Sequence, residues 1–511
     1  MSLARVYSRV MLGVDAIEVC VEAHLSSGLP GFAIVGMPET TVRESKERVR
    51  SAIINSGLEF PDGRITVNLA PADLPKSGAQ FDLAIALGIL QASCQIPNDC
   101  LDNIEIMGEL ALQGEVRGIQ GAVPAILAAR KLKREIILPA ANAAEADLVG
   151  YERIGIVSAL TDYLEHVRTG KDLKRSNGKH GPLNPMDKTP AGFLHVKGQL
   201  FARRAVELAA AGSHNLLMIG PPGCGKTLLA NNLIKLLPPL GEQHAMEVAA
   251  IRSVAGESID ACHITRPPMR SPHHSATHVA LVGGGNRVNP GEISLAHRGV
   301  LFLDEFTEFK PSTLDALREP IENGEITVSR ANYRVKFPAR FQLVAAMNPC
   351  PCGNASDTRR ECRCSSDRVS RYLGRLSGPL LDRMDLLVEL PSLTQAELLE
   401  RGQDNDDQSR WIQAAAAIQR CRQIQIQRAG KLNNELHGDE LTMHCGLTTP
   451  LRKLLATTMD QLGMSARAVH RVIKVARTIA DYEESQEIGR THLLEAISYR
   501  RSRCVQKLGN L

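Results

Sequence analysis

Residues Gly220-Pro221-Pro222-Gly223-Cys224-Gly225-Lys226-Thr227 fit the pattern G-x-x-x-x-G-K-[ST] at every fixed position. In that pattern a glycine-rich turn wraps a phosphate chain with backbone N–H groups, and the helix that follows points its positive end at the same anion. Lys226 then reaches the β- and γ-phosphates of a nucleoside triphosphate, and the Thr227 hydroxyl ligates Mg²⁺. Asp304 and Glu305 end a hydrophobic run, Gly299-Val-Leu-Phe-Leu. There Asp304 is placed for the Mg²⁺ shell and Glu305 for polarising the attacking water. Asn348 closes a second such run, Phe341 to Met347, and is a candidate for positioning water or the γ-phosphate. Arg383, in Gly378-Pro-Leu-Leu-Asp-Arg, has the charge and planar donor set of an arginine finger. Arg467, at a helix start, is a candidate second sensor closing on the same nucleotide.

These residues need a scaffold. The apolar run Asn215 to Ile219 before the glycine turn reads as a buried strand, and the residues from Lys226 onward read as a helix. A finger that acts on a neighbour's site needs that site at a subunit interface, so a ring or another head-to-tail oligomer is expected. The nucleotide domain is expected over residues 192–395. Before it, residues 1–168 read as an α/β domain, with β-rich runs at 17–23, 32–35 and 64–68 and helices at 41–55 and 82–93. Residues 169–191, rich in Gly, Pro and charge, read as a linker. Residues 396–511 read as a helical C-terminal domain, with helical periodicity at 411–428, 450–462, 466–482 and 490–503.

The chain has 511 residues, more than one hydrophobic core serves. No apolar run reaches the length of a membrane span, and Asp15 and Glu18 interrupt any signal-type apolar stretch, so a cytoplasmic protein without a membrane partner is expected. In that compartment the 12 cysteines are expected to be reduced. Four of them, Cys350, Cys352, Cys362 and Cys364, form a C-x-C-x₉-C-x-C cluster that matches a closed tetrahedral Zn²⁺ site, with reduced surface thiols as the plainer reading. Arginines flank the cluster, among them Arg359, Arg360 and Arg363. Net charge is only +4, so contact with a polyanion must come from a local patch such as this one. Residues 324–338 alternate like a hairpin with a turn at 330–332, which makes Arg330 a candidate DNA contact at its tip. Residues 265–287 form a long Gly/Pro-rich insertion, and His273 and His274 within it read as packing groups or neighbours of the nucleotide site.

The glycine turn, Leu-Phe-Leu-Asp-Glu305, Arg318-Glu-Pro-Ile-Glu322, Ala-Met-Asn-Pro-Cys-Pro-Cys-Gly353, Ser377-Gly-Pro-Leu-Leu-Asp-Arg383 and Ser465-Ala-Arg-Ala468 together resemble the ComM/YifB family of magnesium-chelatase-like AAA+ proteins. The resemblance runs over nearly the whole chain. It implies an AAA+ P-loop core with a helical lid and with helix-2 and pre-sensor-1 insertions, using ATP and Mg²⁺. It also implies a hexameric ring that drives branch migration of single- and double-stranded, branched DNA in natural transformation. A protein-remodelling motor and a metal-chelatase motor remain the alternatives. The N-terminal domain resembles Lon-type peptidases at residues 74–82 and 108–121. The resemblance places Gln80 at the nucleophile's position and Val123 at the lysine's, with Ser77 off the site. A Lon-like α/β fold without peptidase activity is therefore expected, serving ring assembly or DNA contact.

Overall fold

A computed structural model describes residues 2–176, 193–196, 198–285, 288–329, 334–355, 360–393 and 404–500. The N-terminal part is built on eight strands. These are β1 (Ser2–Leu12), β2 (Asp15–Ser26), β3 (Gly31–Val35), β4 (Arg64–Ala70), β5 (Ile104–Ile106), β6 (Glu135–Pro139), β7 (Ile154–Val157) and β8 (Lys174–Arg175). Their order across the sheet is β8-β7-β6-β5-β1-β2-β4-β3. The long strand β1 was not among the runs picked out in the sequence. Its inward residues Ala4, Val6 and Val10 alternate with Arg5, Tyr7 and Arg9, a strand pattern partly masked by the arginines. Arg9 is nonetheless buried, because Glu105 on the neighbouring strand accepts from it at 2.6 Å. Helix α1 (Thr40–Asn55) covers the sheet together with α2 (Asp82–Ala92), every residue of which is buried. Asp82 begins α2 as a buried acid satisfied by Ser45 and by Arg48 at 2.7 Å.

The central part is a five-stranded parallel sheet. Its strands are β9 (Leu216–Ile219), β10 (Met269–Arg270), β11 (Val300–Leu303), β12 (Gln342–Met347) and β13 (Leu386–Glu389), in the order β10-β11-β12-β9-β13. Strands β9, β11 and β12 are buried throughout, as continuous apolar strands covered on both faces must be. Strand β10 lies inside the 265–287 insertion, so part of that insertion is sheet edge and only the remainder stands apart from it. Strands Glu325–Ser329 and Arg334–Pro338 pair antiparallel as the expected hairpin. Its tip, with Arg330, lies outside the described residues, as does Arg359.

The C-terminal part is helical, with α3 (Asp404–Ala429), α4 (Thr449–Leu462), α5 (Ala466–Tyr482) and α6 (Arg490–Ser498) as its main elements. Trp411, Ile418, Val475, Ile479 and Leu493 from these helices share one core with Leu216, Val300 and Val344 of the central sheet. The N-terminal part also packs on the centre. Helix Ala122–Leu132 lies against helix Glu242–Ala255, where Ser253 accepts from the backbone N–H groups of Gly121 and Val123 at 3.0 and 3.2 Å. Gly13, in the β1–β2 turn, approaches the Lys336 carbonyl so closely that a Cβ there would stand 2.7 Å from it.

Candidate nucleotide site

Strand β9 delivers the chain into the Gly220–Thr227 loop at the carboxyl edge of the central sheet, and the following helix begins at Lys226. Gly223 and Gly225 both have left-handed backbone, the conformation that lets successive N–H groups face one concavity. The Lys226 ammonium donates to the carbonyls of Gly220 and Pro221 at 2.7 and 3.0 Å, and to Asn348 Oδ1 at 3.2 Å. Burial pulls its pKa below the usual lysine value. An arriving polyphosphate would favour its charged form further. Thr227 Oγ1 donates to Asp304 Oδ2 at 3.0 Å, so the hydroxyl and the carboxylate expected around Mg²⁺ converge. This donor set, oxygen from a hydroxyl and a carboxylate beside a phosphate loop, fits a hard divalent cation. Lys226, Thr227, Asp304, Glu305 and Asn348 therefore gather at one edge of the sheet, beyond the ends of β9, β11 and β12.

Arg383 and Arg467 lie elsewhere. Arg383 precedes β13, which runs parallel to β9, so it stands at the opposite, amino edge. Asn215, at the start of β9, donates to the Arg383 carbonyl at 3.0 Å. Asp385 beside it accepts from the Asn215 backbone at 2.7 Å and from Arg471 at 2.5 Å. The Arg383 guanidinium is buried, 7% exposed, on Glu322 at 2.5 Å and on the Pro379 carbonyl at 2.7 Å. Arg467 is exposed and lies 3.8 Å from the same Glu322. Arg467, expected as a second sensor on the same nucleotide, thus lies beside Arg383, with Glu322 between the two. Sequence reading also missed Glu322 as the shared counter-ion, although Glu322 ends one of the quoted motifs.

The four thiols of the cysteine cluster converge. Their sulfurs all lie within 4.8 Å of one another, with Cys350 Sγ 3.3 Å from Cys352 Sγ and 3.6 Å from Cys362 Sγ. Burial pushes the Cys350 thiol up to about 12, while the Asn354 backbone N–H draws Cys352 down to about 6. The turn between the first two thiols and the rest touches the phosphate loop. Gly353 has left-handed backbone, and a Cβ there would stand 2.6 Å from Pro222 Cδ. Arg360 and Arg363 are exposed on the remaining part of the loop.

In the N-terminal part, Gln80 and Val123 are buried, and Lys76 is buried with its ammonium on the Pro71 carbonyl. Glu145 reaches Ser253 of the central part, next to the Val123 contact.

A parallel sheet in this order, with a phosphate loop, an acidic strand end and a polar strand end on one edge, defines a P-loop domain of the AAA+ class. Residues 192–398 match the family described as "Magnesium chelatase, subunit ChlI". Residues 21–142 match "Subunit ChlI of Mg-chelatase" and residues 409–500 match "Magnesium chelatase, subunit ChlI C-terminal". The competence protein ComM of Haemophilus influenzae is 47% identical over 514 residues, covering 100% of both chains. The protein YifB of Escherichia coli is 46% identical over 501 residues, 98% of this chain and 97% of that one. The magnesium-chelatase 38 kDa subunit of Cereibacter sphaeroides is 25% identical over 60% of this chain and 89% of its own. The chain belongs to the ComM/YifB family of magnesium-chelatase-like proteins. No helix among the described residues is long and apolar enough to cross a membrane.

Proposed function

We propose that the protein is an ATP-driven DNA translocase, working as a head-to-tail hexameric ring and promoting branch migration as incoming DNA recombines in natural transformation. The similarity to a competence protein supports the process. The observation that carries the mechanism is the contact of Gly353 with Pro222, beside the hydrogen bond from Lys226 to Asn348. Through these contacts the phosphate loop, the polar strand end and the arginine-bearing cysteine loop form one mechanical unit. Hydrolysis at the first can therefore shift cations held by the last. Lys226 and Thr227 hold the triphosphate and Asp304 the Mg²⁺ shell, which supplies charge neutralisation on the phosphates when bound. Glu305 takes the proton of the attacking water. The hairpin with Arg330 and the exposed arginines meet DNA through phosphates, so binding is salt-dependent and indifferent to sequence. The N-terminal domain, a Lon-like fold in this reading, braces the hairpin through the Gly13–Lys336 contact and leaves Gln80 and Val123 without peptidase chemistry.

The test is ATP turnover with and without duplex and branched DNA, followed by strand displacement on a three-strand or four-way junction. Replacing Arg360 and Arg363 with alanine is expected to remove most of the DNA stimulation. It is also expected to flatten the log–log salt dependence of DNA binding by roughly one unit per lost phosphate contact. Unchanged stimulation and slope, together with the same result for Arg330→Ala, would return the choice to the alternative motors. The family matches give a chelatase-type motor its standing, and magnesium chelation by the purified protein would favour it.

The cysteine site is proposed to hold one Zn²⁺ per chain, with Cys350, Cys352, Cys362 and Cys364 as thiolate ligands. Metal analysis of fresh protein is expected to give close to one equivalent. Chelation is expected to weaken nucleotide binding as well as DNA binding, because the Gly353 turn rests on Pro222. Under half an equivalent, or nucleotide affinity unmoved by complete metal removal, would count against this arrangement.

A further inference from the structure

A cleft of about 1510 Å³ opens between the amino edge of the central sheet and the C-terminal helices. It is larger than the roughly 300–1,000 Å³ of a pocket for a drug-sized ligand. His244, Arg298 and Arg340 stand on its central wall. On its helical wall Arg467, His470, Arg471 and Lys474 recur along one face of α5, passing from exposed at Arg467 to buried at Lys474. Glu247 answers Arg298 at 2.8 Å, and Asp385 answers Arg471 at 2.5 Å. Lys474 instead meets a neutral group, the Asn434 carbonyl at 2.9 Å, and Arg422 on α3 donates twice to the Ala210 carbonyl, at 2.8 and 2.6 Å. Burial draws the Lys474 pKa down to about 8 and that of Arg422 to about 10. The carboxylates that line the cleft are Glu435 and Glu322, and Glu322 is already held by Arg383. Gln419, Gln423 and Gln427, four residues apart on α3, present exposed amides to the same space, beside the exposed side chain of Ile426.

We propose that this cleft binds a few nucleotides of single-stranded nucleic acid, with phosphates on the two cationic walls and base edges on the α3 glutamines. The inference rests on the DNA-motor reading above and gives the unpaired strand a seat apart from the hairpin and the cysteine loop. Cations on two walls suit phosphates that are spaced apart. The bunched phosphates of a free nucleotide would reach one wall and leave the other unused. Each glutamine offers a donor and an acceptor, the pair of functions that base edges take, and a bare polyanion has no use for them. Lys474 is already out of water, so a phosphate that reaches it makes a charge-assisted contact at little further desolvation of the protein. Strand exchange on a three-strand substrate displaces one strand, and a cleft that holds it delays its return to the duplex. Arg467 at the mouth also faces the neighbour's nucleotide in the ring reading, so the test leaves it unchanged.

The experiment is binding of a short labelled oligo-dT to the full chain, with photocrosslinking of its 4-thiothymidine form and mapping of the crosslinked peptides. Crosslinks are expected within residues 419–431. They are read on the wild-type chain and so stand whatever the folding of any variant. Arg340→Gln, a change at an exposed side chain, is expected to flatten the log–log salt dependence of oligo-dT binding by about 0.7. Gln423→Ala combined with Gln427→Ala should weaken binding about fivefold or more at unchanged slope, because amides meet bases and not phosphates. The thermal unfolding midpoint checks that both variants fold. Neither blunt duplex nor inorganic tripolyphosphate should displace the oligonucleotide from the crosslinked segment. Crosslinks confined to the hairpin or the cysteine loop overturn the proposal. So does an affinity unmoved in the folded glutamine variant, or displacement by tripolyphosphate as effective as by unlabelled oligo-dT. A wild-type chain that binds neither duplex nor oligo-dT would sink the DNA-motor reading and the cleft with it, whereas DNA binding that avoids the cleft sinks the cleft alone.

Discussion

Arg383→Ala is expected to abolish ATP turnover in the homogeneous protein, and mixing it with Lys226→Ala is expected to restore part of it. Transition-state contacts of this kind are worth about 10³–10⁵ in rate. The reason lies in strand direction. Strands β9 and β13 are parallel, with Leu216 opposite Leu386 and Ile219 opposite Glu389. A strand of that length spans roughly 13 Å, so one chain cannot bring Arg383 from the amino edge to its own Lys226 at the carboxyl edge. In a head-to-tail ring the amino edge of one subunit meets the carboxyl edge of the next. A site made from the phosphate loop of an Arg383→Ala chain and the finger of a Lys226→Ala chain is then complete. Random mixing at equal ratio makes about a quarter of the interfaces complete, and that fraction of wild-type turnover is the expected ceiling. A mixture as inactive as its parents, with ring assembly verified by mass, would show that the finger does not act between subunits.

The same region would hold the proposed finger until a neighbour's nucleotide arrives. Glu322 holds the Arg383 guanidinium at 2.5 Å and lies 3.8 Å from Arg467. A triphosphate presented by a neighbour carries more charge than one carboxylate and can draw both arginines off it. Glu322 is partly exposed, so its hold on Arg383 is a screened one, and exchange of partners is feasible.

How much of this was legible in the sequence follows from how local each feature is. The phosphate loop, the acidic strand end and the cysteine pairs are contiguous, and each depends on geometry set within a few residues. The sequence reading placed them because strand, turn and helix all announce themselves nearby. Whether Arg467 and Arg383 share an edge with Lys226 depends on sheet order and strand direction, which no spacing along the chain encodes. His274 was read as a neighbour of the nucleotide site, yet its contact with Glu305 needs β10 to lie beside β11, and β10 is only Met269–Arg270. Two residues carry no periodicity to detect. The contact of Gly353 with Pro222 joins segments 131 positions apart, and only the fold shows that the glycine there answers to a proline.

Glu305→Gln and Lys226→Ala are expected to fail in different ways, and the difference tests the division of labour at the carboxyl edge. The Lys226 ammonium spends its hydrogen bonds on Gly220, Pro221 and Asn348, and burial already depresses its pKa. Its removal leaves those acceptors and the incoming phosphates without a cation, so nucleotide affinity falls along with turnover. The Glu305 carboxylate meets His274, and its backbone N–H donates to Asp304. Replacing it with glutamine leaves the phosphate cradle and the Thr227–Asp304 pair intact while removing the base. General-base loss costs about 10²–10⁴ in rate, so turnover should drop to the background while a fluorescent ATP analogue still binds with near wild-type affinity. The trapped triphosphate state should also hold DNA longer, because the cysteine loop stays in the position that the bound nucleotide imposes through Pro222 and Gly353. If Glu305→Gln kept a tenth or more of the turnover, the base would have to be sought elsewhere. If it lost nucleotide affinity as Lys226→Ala does, the two acids would not divide binding from hydrolysis in the way their opposed contacts indicate.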